Sequence, residues 1–162
     1  MRNRMVVVLA SALGILALSA GSVLAVNPPG NNGTVKVDGL TFADTPNNEP
    51  HVGCMFRIKF FGYDEGDLNA TATFKLIPPT GQGVLLTDST FIGEDPAGGG
   101  KDLDAALNVN LSGPIAASGV SPQPHQGFHI KLIVHAEGSR GADVKHKTFW
   151  VRGCGCGCGG AH

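Results

Sequence analysis

Four cysteines and six histidines carry the most distinctive chemistry of this 162-residue chain, and their spacing separates two kinds of it. Cys54 stands alone, whereas Cys154, Cys156 and Cys158 alternate with glycine shortly before His162. An isolated cysteine suits a disulfide in an oxidising compartment, while clustered thiolates on a glycine backbone suit Cu(I) or Zn²⁺. Cys156, Cys158 and His162 are therefore candidate ligands for Cu or Zn, and the same two thiols could cross-link two chains. The simpler reading of this tail is a flexible end with a local disulfide or two idle thiols.

Carboxylates form a second candidate site. Asp64-Glu65-Gly66-Asp67 and Asp102-Leu103-Asp104 fall in or beside glycine-rich turns. Loop oxygens are what Ca²⁺ prefers, which makes Asp64, Glu65, Asp67 and Asp102 candidate Ca²⁺ ligands, without the twelve-residue spacing of an EF-hand. Solvated acidic loops are the plainer reading. The histidines are less suggestive. His129 and His135 lie six residues apart on one extended segment, roughly 20 Å by strand rise, too far to share an ion. His135 and His146 can meet across a hairpin, where two imidazoles with no third ligand make a polar strand pair.

No catalytic motif is present. The chain has neither a G-x-S-x-G elbow nor an H-E-x-x-H pair. Gly98-Gly99-Gly100-Lys101-Asp102 superficially looks like a phosphate loop, but Asp95 stands where its first glycine belongs and Asp102 replaces the Mg²⁺-binding hydroxyl. A non-enzymatic role with no catalytic residue is the expectation.

The elements that position these residues begin after a leader. Arg2 and Arg4 precede an apolar run over residues 5–18, and Val23-Leu24-Ala25 supplies a small-residue exit. This is the pattern of a signal-peptide helix over residues 1–25, too short to span a membrane. Two of the 12 basic side chains leave with it, so the mature part carries 10 against 13 acidic ones, a formal charge of about −3. Nucleic acid and anionic membranes are poor partners for such a surface. No later apolar stretch reaches spanning length.

Residues 26–33 read as a linker, residues 34–154 as one domain, and residues 155–162 as a Gly/Cys-rich tail. Inside the domain, about seven segments alternate apolar and polar residues: 34–42, 54–61, 70–77, 84–92, 103–111, 128–135 and 144–151. Turn-forming Gly, Pro and Asn separate them, and no segment after the leader shows helical spacing. The pattern predicts an all-β fold, a single antiparallel two-sheet sandwich of immunoglobulin-like or transthyretin-like type.

If successive strands alternate in direction, the loops sort into two poles. Asp64, Glu65, Asp67, Glu94, Asp95, Asp102, Glu137 and Asp143 gather at one, and His51, Cys54, His125, Cys154, Cys156 and Cys158 at the other. Cys54 and Cys154 then share a pole and are the expected disulfide, favoured over the rival pairings of Cys54 with Cys156 or Cys158 because Cys154 lies nearest an ordered strand. It closes a loop of about 100 residues, for which chain entropy allows roughly 4 to 5 kcal/mol. In the last hairpin, His135 facing His146 would set Lys131 opposite Trp150, Leu132 opposite Phe149 and Ile130 opposite Val151, burying Phe149 and Val151. A slip of one residue would bury Trp150 and His146 instead.

Several short phrases are distinctive. They are Pro50-His51-Val52-Gly53-Cys54, Phe61-Gly62-Tyr63-Asp64, Pro79-Thr80-Gly81, Phe91-Ile92-Gly93-Glu94-Asp95, Val134-His135-Ala136 and the run from Lys145 to Val151. Through them, over about residues 47–154, the chain resembles a group of exported β-domain proteins of high-GC Gram-positive bacteria with no assigned activity. Many members look wall-anchored through a C-terminal sorting signal, from which the Gly-Cys tail of this chain departs. The resemblance implies a bacterial protein that is secreted or held in the cell envelope.

The combined expectation is a structural or binding module with a surface or extracellular partner. The alternative is an extracytoplasmic metal-binding protein using the Cys/His pole, and a secreted hydrolase is a more distant third. N-terminal sequencing of exported protein should begin near Val26; an intact Met1 would overturn the leader assignment.

Overall fold

The computed structural model describes residues 33–44, 47–96, 101–137 and 144–154. The leader, the linker up to residue 32, Asp143 and the Gly/Cys tail lie outside them. The described elements are β1 (Thr34–Asp38), β2 (His51–Val52), β3 (Met55–Phe61), β4 (Asn69–Leu76), β5 (Gly83–Phe91), β6 (Leu103–Asn110), helix α1 (Ser112–Ser118), β7 (Phe128–Ala136) and β8 (Val144–Val151). They form two sheets, ordered β1-β3-β6 and β2-β8-β7-β4-β5. All strand pairs are antiparallel except β2 with β8, which run parallel. The fold is an all-β sandwich.

Period-two patterning builds the interior. Ala70, Ala72, Phe74 and Leu76 from β4 and Phe128, Ile130, Leu132 and Val134 from β7 are buried on one sheet. Phe56, Ile58 and Phe60 from β3 face them with Val35, Val37, Leu107 and Val109. The Phe56 ring joins the layers: it meets Phe74 edge-on at 5.8 Å and Phe149 at 5.4 Å.

The chain changes sheets between β1 and β2, and this crossover accounts for the early end of the first strand, at Asp38 rather than residue 42. Phe42 and Ala43 instead fold over the outer face of β3. The Arg57 guanidinium lies 3.8 Å from the centre of the Phe42 ring, and Lys59 Nζ donates to the Ala43 carbonyl. Asp38 is fully buried beneath this segment, with its Oδ2 3.0 Å from Lys59 Nζ. Glu49 and Asn48 then pin the crossover to β1: Glu49 N–H donates to the Val37 carbonyl at 3.1 Å, and Val37 N–H donates to Asn48 Oδ1 at 3.3 Å.

Three expectations need correction. Alternation misses β2, because two residues carry no period. It also misses α1, although the signals are local: Pro114 sits in the first turn, Ile115 is the buried contact, and Gly119 closes the helix with φ of 67°. The final hairpin keeps the expected faces in a register shifted by two residues. Phe149 and Val151 are buried, but Trp150 pairs with His129, Ile130 with Phe149, Phe128 with Val151 and His146 with Ile133. An even shift leaves every side chain on its own face, so alternation alone cannot distinguish the two. His135 and His146 become diagonal neighbours instead of a facing pair.

What holds the observed register is a set of contacts at the β2 end of β8. Trp150 N–H donates to the Pro50 carbonyl at 2.9 Å, and its indole stacks on His129 at 4.3 Å. Gly127, with φ of 86°, lies so close to the Val151 carbonyl that a Cβ there would fall 2.1 Å from its oxygen. Phe149→Ala should therefore destabilise by about 3 to 5 kcal/mol, and Trp150→Ala clearly less. Urea midpoints of the two variants check this ranking; the reverse order would place Trp150 inside.

Candidate functional site

Three places bring together residues able to do chemistry: each end of the sandwich and the outer face of the larger sheet.

At the first end, Cys54 and Cys154 are disulfide-bonded across 5.4 Å between Cα atoms. Cys54 immediately precedes β3 and Cys154 follows β8, so the bond staples one sheet to the other. His51 and His125 lie at the same end. His51 Nε2 donates to Gln126 Oε1 at 2.6 Å, and the Arg152 guanidinium reaches the same oxygen at 3.3 Å. Between α1 and the end of β8 is a cavity of about 470 Å³, lined by residues that include Ile115, Val120, Pro122, His125, Phe128 and Cys154. Cys156, Cys158 and His162 lie outside the described residues. Because Cys154 is committed to Cys54, the tail keeps at most those two thiols for a soft metal.

At the opposite end the loops after β3 and β5 meet the start of β6. Gly66 N–H donates to the Gly93 carbonyl at 3.2 Å, and a Cβ on Gly93 would fall 2.0 Å from the Gly66 oxygen. Only glycine permits that approach. Gly62 N–H donates to the Asp102 carbonyl at 2.9 Å, and Glu137 joins this end by accepting from Asn69 N–H at 2.8 Å. Among the described residues, Asp95, Asp102 and Asp104 offer carboxylate oxygens within 4.8 Å of one another. Of the four expected Ca²⁺ ligands, only Asp102 belongs to this group. Asp64, Glu65 and Asp67 are exposed and outside it.

Asp104 reaches the group through an irregularity in β6. The pairing of β3 with β6 runs from Phe60–Ala105 directly to Phe61–Leu103, skipping Asp104. Such a bulge rotates the extra residue out of the strand's alternation. Leu103 is consequently exposed, and Asp104 is only 5% exposed. Asp104 Oδ2 accepts from Tyr63 N–H at 3.0 Å, whereas Oδ1 has no hydrogen-bond partner among the described residues. Burial raises the Asp104 acid above the ordinary carboxyl range, and the charges of Asp102 and Asp95 raise it further. Tyr63 is fully buried, and burial followed by the Asp104 charge pushes its phenol upward too. Strand alternation alone sends Asp95 and Asp102 to this pole, whereas Asp104 owes its place to the bulge.

The third place is the outer face of the five-stranded sheet. His51, Trp150 and His129 form one row across β2, β8 and β7. His129 is held by two contacts. Its backbone N–H donates to Thr80 Oγ1 at 2.9 Å, and its Nδ1 donates to the Pro78 carbonyl at 2.7 Å. Since a carbonyl only accepts, Nδ1 carries the proton. Thr148, Lys131 and Lys75 form the next row. Beyond them the Thr73 and Thr87 hydroxyls meet at 3.4 Å and those of Thr71 and Ser89 at 3.2 Å.

Comparisons with protein-family models, with curated proteins and with solved structures each find no match.

Replacing Cys54 and Cys154 together by serine should lower stability by about 2 to 5 kcal/mol. Urea unfolding with and without reductant checks this: reductant should shift the midpoint of the parent protein and leave that of the double variant unmoved.

Proposed function

We propose that this chain is an exported module of immunoglobulin-like type that acts at the cell envelope as a structural or binding component, not as an enzyme. The strand order supports the immunoglobulin-like assignment over the transthyretin-like one. A three-stranded sheet faces a larger one, and the crossover splits the first edge so that β1 joins β3 while β2 joins β8. The bridge departs from the antibody pattern, because it links the start of β3 to the end of β8 rather than two central facing strands. A disulfide is consistent with life outside the cytoplasm. Together with the leader it supports export to the envelope or medium.

The observation that carries the binding role is the outer face of the larger sheet. There an aromatic plane, imidazoles, lysines and hydroxyls stand in registered rows on a rigid, doubly hydrogen-bonded support. Amphipathic rings such as indole suit contact surfaces because they bury area while keeping a polar edge. The alternative reading, a soft metal held by Cys156, Cys158 and His162, rests on residues outside the described part of the chain.

Co-sedimentation of the purified protein with isolated cell envelopes of a high-GC Gram-positive bacterium tests the proposal. The parent protein should pellet with the envelopes, and Trp150→Ala or Lys131→Glu should reduce the bound fraction at least several-fold. A parent protein left in the supernatant would overturn it, as would variants that bind equally well.

A further inference from the structure

We propose that Asp95, Asp102 and Asp104 form a binding site for a single Ca²⁺ ion at the end of the sandwich opposite the disulfide. Their oxygens lie within 4.8 Å of one another. Two Ca²⁺–oxygen bonds of about 2.3 to 2.6 Å span roughly that separation, so one ion can touch all three. The ligands come from two segments that the fold fixes independently. Asp95 follows β5 in the loop clamped by the Gly66–Gly93 contact, while Asp102 is held through its carbonyl by Gly62 N–H.

A cluster of carboxylates on exposed loops would say little, because solvated acidic groups are common. The second observation is Asp104 itself. The bulge in β6 turns its carboxylate inward, where the residue keeps a relative exposure of only 5%. One oxygen is satisfied by Tyr63 N–H, and the other is sealed from solvent with no hydrogen-bond partner among the described residues. A buried carboxylate oxygen can only accept, so it calls for a cation or a proton. With two further carboxylates beside it, a divalent cation can be shared by all three groups at once. A shared proton satisfies only two. Oxygen ligands of mixed exposure suit Ca²⁺, which tolerates irregular geometry, better than Mg²⁺, which demands a near-ideal octahedron.

The fold provides a reason for the site to exist. Gly66–Gly93 and Gly62–Asp102 bring three loops to one end, and the carboxylates they carry repel each other. An ion there would convert that repulsion into a clamp on the end lacking the disulfide.

The test uses purified protein treated with a chelator and then titrated with CaCl₂ or, in parallel, MgCl₂. Calorimetry should show saturable one-site Ca²⁺ binding, with a dissociation constant on the order of 10⁻⁴ to 10⁻³ M as in other extracellular modules. The thermal midpoint should rise with CaCl₂, because the ion binds only the folded state. Asp104→Asn keeps an acceptor for Tyr63 N–H and should weaken binding at least tenfold. Asp95→Asn, at an exposed loop position, should do the same. Asp64→Asn, a neighbouring exposed acid outside the cluster, should leave binding unchanged. Absence of Ca²⁺ heat and of any midpoint shift at about 10 mM would overturn the proposal. So would undiminished binding by Asp95→Asn. A wild-type protein indifferent to CaCl₂, combined with an Asp104→Asn variant that is more stable than it, would assign the buried oxygen to a shared proton. An equal response to MgCl₂ would overturn the choice of Ca²⁺.

Discussion

Everything in this domain depends on two apolar sheet faces closing on each other around Phe56. That ring comes from the smaller sheet and touches Phe74 and Phe149 on the larger one, so it is where the two layers become one interior. Edge-to-face aromatic contacts of this kind contribute beyond the area they bury. Every strand must present its apolar set to that layer. A side chain that breaks alternation therefore stands out as an exception with its own cause.

Three charged side chains, Asp38, Lys59 and Asp104, are buried. Asp38 and Lys59 are both almost completely buried, yet they lie on the outer side of the smaller sheet, not between the sheets. The crossover from β1 to β2 covers them, and Lys59 also reaches the Ala43 carbonyl. An ion pair taken out of water is poor evidence for added stability, since desolvation offsets much of the attraction. Its geometric consequence is clearer. The crossover residues satisfy Lys59 only in this path, which directs the chain from one sheet to the other. Asp104 is the one of the three that breaks alternation, and there the cause is backbone: one extra residue in β6 turns its carboxylate inward.

The two ends of the sandwich are secured differently. At one, a covalent bond joins the start of β3 to the end of β8, and a helix and a proline-containing loop pack beside it. The other has backbone contacts so close that glycine is required at position 93, and beside them Asp104 and Glu137 accept from the Tyr63 and Asn69 N–H groups. Lys147 shows how far the interior extends along β8. It occupies a core-facing position opposite Leu132, where desolvation and then the charges of Lys36 and Lys145 lower its pKa. Only Phe149 and Val151 on that strand are buried, so β8 runs past the edge of the smaller sheet.

Much of the fold was legible in the residues themselves, because alternation is a local signal. The segments from Cys54 onward correspond to strands, and Phe128, Ile130, Leu132 and Val134 point inward as their spacing requires. The partner of Cys54 was legible in two steps: strand parity places Cys54 at one end with Cys154, Cys156 and Cys158, and nearness to the last strand singles out Cys154. What alternation cannot carry is anything invariant under a shift of two residues, which is why Trp150 faces His129 and not Lys131. A two-residue strand was invisible for lack of a period, and the crossover because it depends on which sheet receives β2. The inward turn of Asp104 follows from a mismatch in length between β3 and β6, a property of the pair and of neither strand alone. Local patterning therefore sets which faces are apolar and which cysteines share an end. Only tertiary pairing decided register and the gathering of three aspartates, because both depend on distances between strands that no single strand encodes.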